Sequence, residues 1–591
     1  MPFHRSASHR ALSCTPFRLA CPAESNPSRR LPPLAALTLL TLVGSACSNP
    51  TGVGPRDPSR QAVTPFSTVS TTGVTYYVSP TGNDTYAGTT LAKPWRSIKK
   101  VNAKRFAPGD RILFEGGEIF NGSLKFIASD RGSAIAPIVI STYGSARATI
   151  NSTAETGLSL YNTAGFEVRN LRLRGAGRTT NKGSGISIYN DLAGGIKLPY
   201  IRIDSVEAYG YGRYGVVIDS WNASSGFADV RVTYSSAHDN ALGGFSTYAQ
   251  LPYTHQNIYF GHLIASDNPG VAGLATNSGS GITLAGVAGG MIERSIATNN
   301  GALCDAAEGP VGIWTYDSDG VVIQQNESYD NRTNGPADGG GFDLDQNTRN
   351  SVVQYNYSHG NAGAGYLMAH APDNTNHSGN TIRYNISEND GRRNSAAAIV
   401  VWGRTINSEI YNNSVYITPS SSGTPRAVHV HNATISTHDV QHLHIRNNAF
   451  YATGGLTVLI VSSGQLKGAV DLRFEGNTYY AGSVAPSFMW GASTYSGLTA
   501  WRSATGQELL GGTAVGLQGD PAFAAPGAGG TIGNADQLAA LTAYRLTPIS
   551  PLIDRGLNLR SLFGTSVGPV DYWSQALMAG AAYDVGAHEW R

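Results

Sequence analysis

"VVIQQNESYDNRTNGPADGGGFDLDQNTRNSVVQYNYSHGNAGAGYLM", residues 321–368, contains one short phrase twice: an apolar residue, two others and an asparagine, as IQQN ending at Asn326 and VQYN ending at Asn356. The phrase returns as IRYN, IYNN, IRNN and FEGN, with asparagines at 385, 413, 448 and 477. Some fifteen residues ahead of it stands a run in which apolar side chains alternate two by two: GIWTY at 312, GFDLD at 341, GYLMA at 365 and AIVVW at 398. That alternation is the period of a strand. Fainter copies begin at GLSLY (157), GISIY (185), GVVID (215) and GITLA (281), for about eleven turns in all. A unit of about 29 residues made of short strands and tight turns buries no core alone, whereas stacked copies share one. The expectation is an all-β, single-stranded parallel β-helix. An asparagine at a fixed turn position is then scaffold, because Asn tolerates the left-handed backbone region and can hydrogen-bond to its counterpart in the next turn.

Composition agrees. Glycine supplies 71 of 591 residues, well above the usual share of about 7%, and charged residues are 14% against about 25% in ordinary globular chains. The formal net charge of +2 gives no basis for attraction to nucleic acid or to anionic lipid.

Five arginines lie in the first thirty residues, ahead of LPPLAALTLLTLVGSAC (31–47). A basic stretch, a short apolar run and small residues before a cysteine read as an export signal over 1–47, too short for an ordinary spanning helix. Gly44-Ser45-Ala46-Cys47 resembles a bacterial lipobox, although Gly44 departs from the large aliphatic residue usual there. The resemblance implies lipidation of Cys47 and an outer-membrane or cell-surface location, with a freely secreted protein as the alternative. The long basic region leaves open a start codon downstream of Met1. With Cys14 and Cys21 ahead of the cleavage region, Cys304 is alone in the mature body, so no intrachain disulfide framework is available and a buried structural thiol is expected.

Residues 48–74, rich in Ser, Thr, Pro and Gly, form a linker. Residues 75–117 read as an N-terminal cap, with a short helix after Pro94 carrying Ile98 and Val101 and covering the open strand end. The β-helix extends over 118–484, and 485–591 either adds turns or folds across the end. The opening YYVSPTGNDTYAGTT, PWRSIKKV and the late GDPAF, YRLTPISPLIDRG and YDVGAHEW are similar to the ends of bacterial right-handed parallel β-helix proteins of the pectate-lyase-like superfamily. That resemblance covers 75–591. It implies a carbohydrate partner, because members are mostly polysaccharide lyases, glycoside hydrolases and uronan epimerases; fold alone does not establish activity.

The two-residue period sorts side chains. Phe342 and Leu344 enter the core, while Asp343 and Asp345 face out. The same rule turns Trp314 and Tyr316 outward before them, and Leu367, Ala369, Val400, Trp402, His429 and His431 after them. Asp219 falls in the same column several turns earlier. Trp314, Tyr316 and Trp402 are candidate platforms for sugar rings, with His429, His431 and Asp219 as further substrate contacts; each aromatic taken singly is also explicable as packing under a loop. Asp343 and Asp345 have Cα atoms about 6.6 Å apart, so they resist simultaneous ionisation and can supply an acid beside a base. Inverting glycosidases hold their carboxyl groups roughly 6.5–9.5 Å apart. Asp317 and Asp338 are alternative partners, though Asp317 and Asp319 in YDSDG equally suit a turn.

The first expectation is therefore a monomeric extracellular glycoside hydrolase acting on a polysaccharide. The alternative is a calcium-assisted lyase or epimerase of uronate polymers, with Asp338, Asp343 and Asp345 as Ca2+ ligands and Arg404, His370, His429 or His431 as base; Arg392 and Arg393 are further candidates for that base. GFDLD resembles the Asp-centred strand of alginate epimerases, but Asp345 stands where their histidine would be. No lysine other than Lys197 lies between Lys182 and Lys467, which argues against a lysine base. A non-catalytic polysaccharide-binding adhesin uses the same outward strip.

Overall fold

A computed structural model describes residues 73–591 apart from 371–375, 395 and 433–438; Cys47 and the signal lie outside the described residues. The chain winds as a parallel β-solenoid of three fourteen-stranded sheets, in which, apart from the end strands, each strand pairs with the strand three further along the chain. There are about 13 turns rather than about eleven. Sequence reading missed the short strand Leu124–Phe126 and the strand Gly243–Ala249. In the latter, Thr247 replaces an apolar inward residue and is fully buried, its hydroxyl donating to the Ala285 carbonyl at 2.8 Å and accepting from the Ala285 amide at 2.7 Å. A threonine with its backbone demand met passes as a core residue, so the apolar pattern lapses there.

The sheet holding the GFDLD-type strands is called here the front sheet. Its register is the expected one: Ile313 pairs with Phe342 and Trp314 with Asp343, then Asp343 with Leu367, Leu367 with Val400 and Val400 with His429. Phe342, Leu344, Tyr366 and Met368 are all 1% exposed or less, and the Phe342 and Tyr366 rings stack at 5.3 Å.

The repeated asparagines form a buried ladder. Asn326, Asn356, Asn385, Asn413 and Asn448 each donate from Nδ2 to Oδ1 of the next asparagine, at 2.9–3.0 Å, as far as Asn477. Their backbone is not the left-handed one: that position belongs to the preceding residue, with φ of 55° at Gln325, 58° at Tyr355 and 49° at Tyr384. The tight turn thus sits one residue earlier than expected, and the asparagine is selected by the ladder alone. A second ladder, unforeseen, runs Asn240, Asn268, Asn300, Asn331, Asn361 to Asp390. Its signal is the recurring Asn or Asp that closes HDN, SDN, TNN, YDN, HGN and END.

Both ends are covered. Helix α1 (Ile98–Ala103), capped by Ser97, buries Ile98 and Val101. Helix α2 (Leu498–Thr505) plugs the other end with Trp501, which is fully buried against Phe474, Tyr479, Phe488 and Trp490. Residues 519–591 then run back along the side of the solenoid: Ile532 and Gly533 donate their amides to Glu327 at 2.7 Å, and Asp536 pairs with His262 and Arg294. The C-terminal region thus both closes the last turn and folds back over earlier ones. Trp501→Ala is expected to cost about 3–5 kcal/mol and to open the C-terminal turns first; hydrogen exchange should show protection lost around 470–518 while residues near 140–230 keep theirs.

Candidate functional site

The outer face of the front sheet carries the expected strip. Asp343 is 3% exposed, and its Oδ1 has no hydrogen-bond partner among the described residues. Asp345, one pleat on, is half-buried and accepts the Gln346 amide at 2.7 Å. Asp338, half-buried on the preceding loop at φ 60°, accepts the Gly309 amide at 2.7 Å. These three carboxyls sense one another. Burial pushes Asp345 up to about 8, with Asp338, Glu308 and Asp317 adding to the shift. Burial also drives Asp343 well above the usual carboxylate range, with Asp345 and Asp338 contributing. Asp345 holds its proton at neutral pH, the condition for a carboxylic acid that donates.

The other expected residues divide. Asp317 is committed to its turn, where Asn347 Nδ2 donates to it at 2.6 Å; Asp319 pairs with Arg349 at 3.0 Å. Trp314 faces outward but is only 9% exposed, and its ring stacks on Tyr316 at 4.9 Å. It offers little open ring face. Trp402 is half-buried two strands beyond the aspartates, across an apolar shelf of Leu367, Ala369 and Val400. His429 and His431 stack at 3.9 Å; burial takes His429 down to about 2 and His431 to about 4, so both are neutral imidazoles. His370, 1% exposed at the end of its strand beside His377, is interior and not on the outward strip. Arg404 is turned to Gln441 Oε1 at 3.3 Å. Asp219 shares the column of Asp345 four turns toward the N-terminus, and burial raises it to about 7 against the pull of Arg213. Sequence reading missed Glu308, which stands on a loop outside the repeat, and Trp221, which follows a strand end.

Among the described residues no three His, Cys, Asp or Glu side chains converge closely enough to hold a metal ion. Asp338 and Asp345 each spend an oxygen on a backbone amide. The proposed calcium ligands Asp338, Asp343 and Asp345 therefore do not fit as a set. Cys304 is buried and free, as expected.

The family model "Right handed beta helix region" matches residues 270–415, the turns that carry this cluster. A lacto-N-biosidase from Bifidobacterium longum subsp. longum is 27% identical over 455 residues, covering 60% of this chain and 28% of its own; the chain thus spans little more than a quarter of that curated relative. Among solved structures, a GH136 lacto-N-biosidase from Eubacterium ramulus matches at TM-score 0.46 and 19% identity, over 61% of this chain and 68% of that one. A pectate lyase matches at TM-score 0.41 and 15% identity, over 89% of this chain and 98% of that one.

Proposed function

We propose that the protein is a glycoside hydrolase, exported and held at the cell surface through Cys47, in which Asp345 is the general acid. The observation that carries this is a half-buried carboxyl raised to about 8 at the centre of a carboxyl cluster on an outward β-helix face. Asp345 is accessible and protonated at neutral pH, which suits it to protonate the leaving glycosidic oxygen. Asp338, also half-buried and steadied by the Gly309 amide, is the carboxylate that activates water. Asp343, nearly sealed from solvent, is not suited to touch substrate. The relative named as a lacto-N-biosidase supports a hydrolase over a lyase, as does the lack of a lysine or metal-ligand set at the cluster.

The test is incubation of the 73–591 chain with a panel of neutral and uronate polysaccharides and oligosaccharides, reading reducing ends and ultraviolet absorbance together. New reducing ends without absorbance are expected. Absorbance from an unsaturated sugar would mark a lyase instead, and retention without any cleavage a binding scaffold. Because the acid must be protonated, kcat should fall as pH rises through the Asp345 value near 8. Glu308→Gln should move that alkaline limb downward, since it removes a charge that disfavours the ionised form of Asp345; an unmoved limb would mean that burial and the other carboxyls set the Asp345 value without it.

A further inference from the structure

On the same front face, toward the N-terminus from the acidic cluster, two pairs of aromatic rings lie flat on one another. Tyr161 stacks on Tyr189 at 6.1 Å and 10°, and Trp221 on Tyr248 at 5.7 Å and 10°. Unlike Trp314, they are open to solvent: Tyr161 is 42% and Trp221 37% exposed. The Tyr161 ring is held in place, its hydroxyl donating to Asp191 Oδ2 at 2.8 Å while Asn162 holds the other oxygen at 2.7 Å. Beyond it lies a depression of about 500 Å³ lined by Lys125, Glu155, Ser159, Tyr161 and Lys182, in which Lys125 is neutralised by Glu155 at 2.9 Å.

These residues stand in register with the cluster. Tyr161 pairs with Tyr189, Tyr189 with Asp219 and Asp219 with Tyr248, in the column that leads to Tyr316 and Asp345. From the strand of Tyr161 to that of Asp343 the front sheet has six inter-strand steps, a span of about 29 Å at roughly 4.8 Å each. Flat rings beside the half-exposed hydroxyls of Ser159 and Ser187 match a sugar, which offers C–H faces and hydroxyl edges together; an apolar protein segment would not use the hydroxyls. The Asp191 carboxylate on the track opposes a polyuronate, and Lys125 is already paired with Glu155.

We propose that Tyr161, Tyr189, Trp221 and Tyr248 form a second glycan-binding stretch that holds the distal part of a long uncharged glycan whose cleaved bond lies at Asp345. The substrate class rests on the hydrolase reading; the binding stretch stands without it. Affinity electrophoresis of the Asp345→Asn protein through gels containing β-glucan, arabinoxylan, galactomannan, galactan or polygalacturonate separates the two. At least one neutral polymer should retard it and polygalacturonate should not, with apparent affinity falling five-fold or more in a Tyr161→Ala/Trp221→Ala double variant and recovering in Tyr161→Phe/Trp221→Phe. Matched melting temperatures show that the variants are folded. Equal retention in the double Ala variant, retention by polygalacturonate alone, or retention by no polymer overturns the proposal. Retention that depends on the rings, in a wild-type protein that releases no reducing ends, would uphold the track and remove the hydrolase.

Discussion

Asp345→Asn is expected to lower kcat by about 10²–10⁴-fold on a glycan that the protein cleaves, and to make the folded protein more stable near neutral pH. Loss of the proton donor accounts for the first effect. The second follows from linkage. In the native state Asp345 holds its proton up to about pH 8, whereas in the unfolded chain it releases it near 3.8. A carboxyl raised in this way favours folding fully below pH 4, and that contribution is lost as pH climbs toward 8. At pH 7 the group therefore opposes folding. The full linkage figure is about 1.4 kcal/mol per pH unit, and because water reaches the half-buried group the expected gain on its removal is discounted to roughly 1–3 kcal/mol. Steady-state kinetics and calorimetry at pH 5 and 7 check both halves. A variant that keeps wild-type kcat would end the assignment of Asp345 as acid; one that loses activity together with stability would point to a merely structural carboxyl.

The largest effect on folding is expected at Asn356. It is fully buried, accepts from the Asn326 amide at 2.9 Å and from Asn326 Nδ2 at 3.0 Å, and donates to Asn385 Oδ1 at 3.0 Å and the Ile323 carbonyl at 2.9 Å. Asn356→Ala strands partners on three sides of a site closed to solvent. At about 1–3 kcal/mol for each unmet buried group, with partial relaxation, the loss should reach about 3–5 kcal/mol. Since each turn touches only its neighbours, the damage should be local. Denaturant unfolding measures the size, and hydrogen exchange should place the weakened amides between about 310 and 415. A loss under about 1 kcal/mol would mean that the amide stack is readily replaced by other contacts.

The scaffold was legible because it repeats. Phe342, Leu344, Met368, Val401 and Val430 alternate on one period, so each turn corroborates the next, and the outward direction of Asp343 and Asp345 followed from two-residue counting. The site was legible only as direction. That Asp343 would be nearly sealed and Asp345 half open depends on loop heights around them, and loops such as 301–310 and 331–339 lie outside the period. Trp314 shows the same limit: its outward sense was readable, but its burial against Tyr316 was not. His370 was offered as a base because its residue type invites chemistry, while its even position in the strand already turned it inward. The Asn240 to Asp390 ladder was missed for another reason. Its members follow strands of only three residues, too short for apolar alternation to draw attention to them.

Both ladders have a direction. Every side-chain amide gives one hydrogen to the next turn and the other back to a carbonyl of the turn before, and each series stops at a side chain that only needs to accept: Asp390 in one, and in the other Glu508, which takes Asn477 Nδ2 at 2.8 Å and the Tyr479 hydroxyl at 2.7 Å. A carboxylate is the natural last member, because a further amide would leave its forward-pointing hydrogen unclaimed. Lengthening such a protein by gene duplication is thus position-dependent. A copied turn inserted between Asn326 and Asn385 brings a donor and an acceptor in register and can be absorbed; one appended after Glu508 would begin a new series with no terminator. Growth from within, with the ends inherited unchanged, is the route this architecture favours.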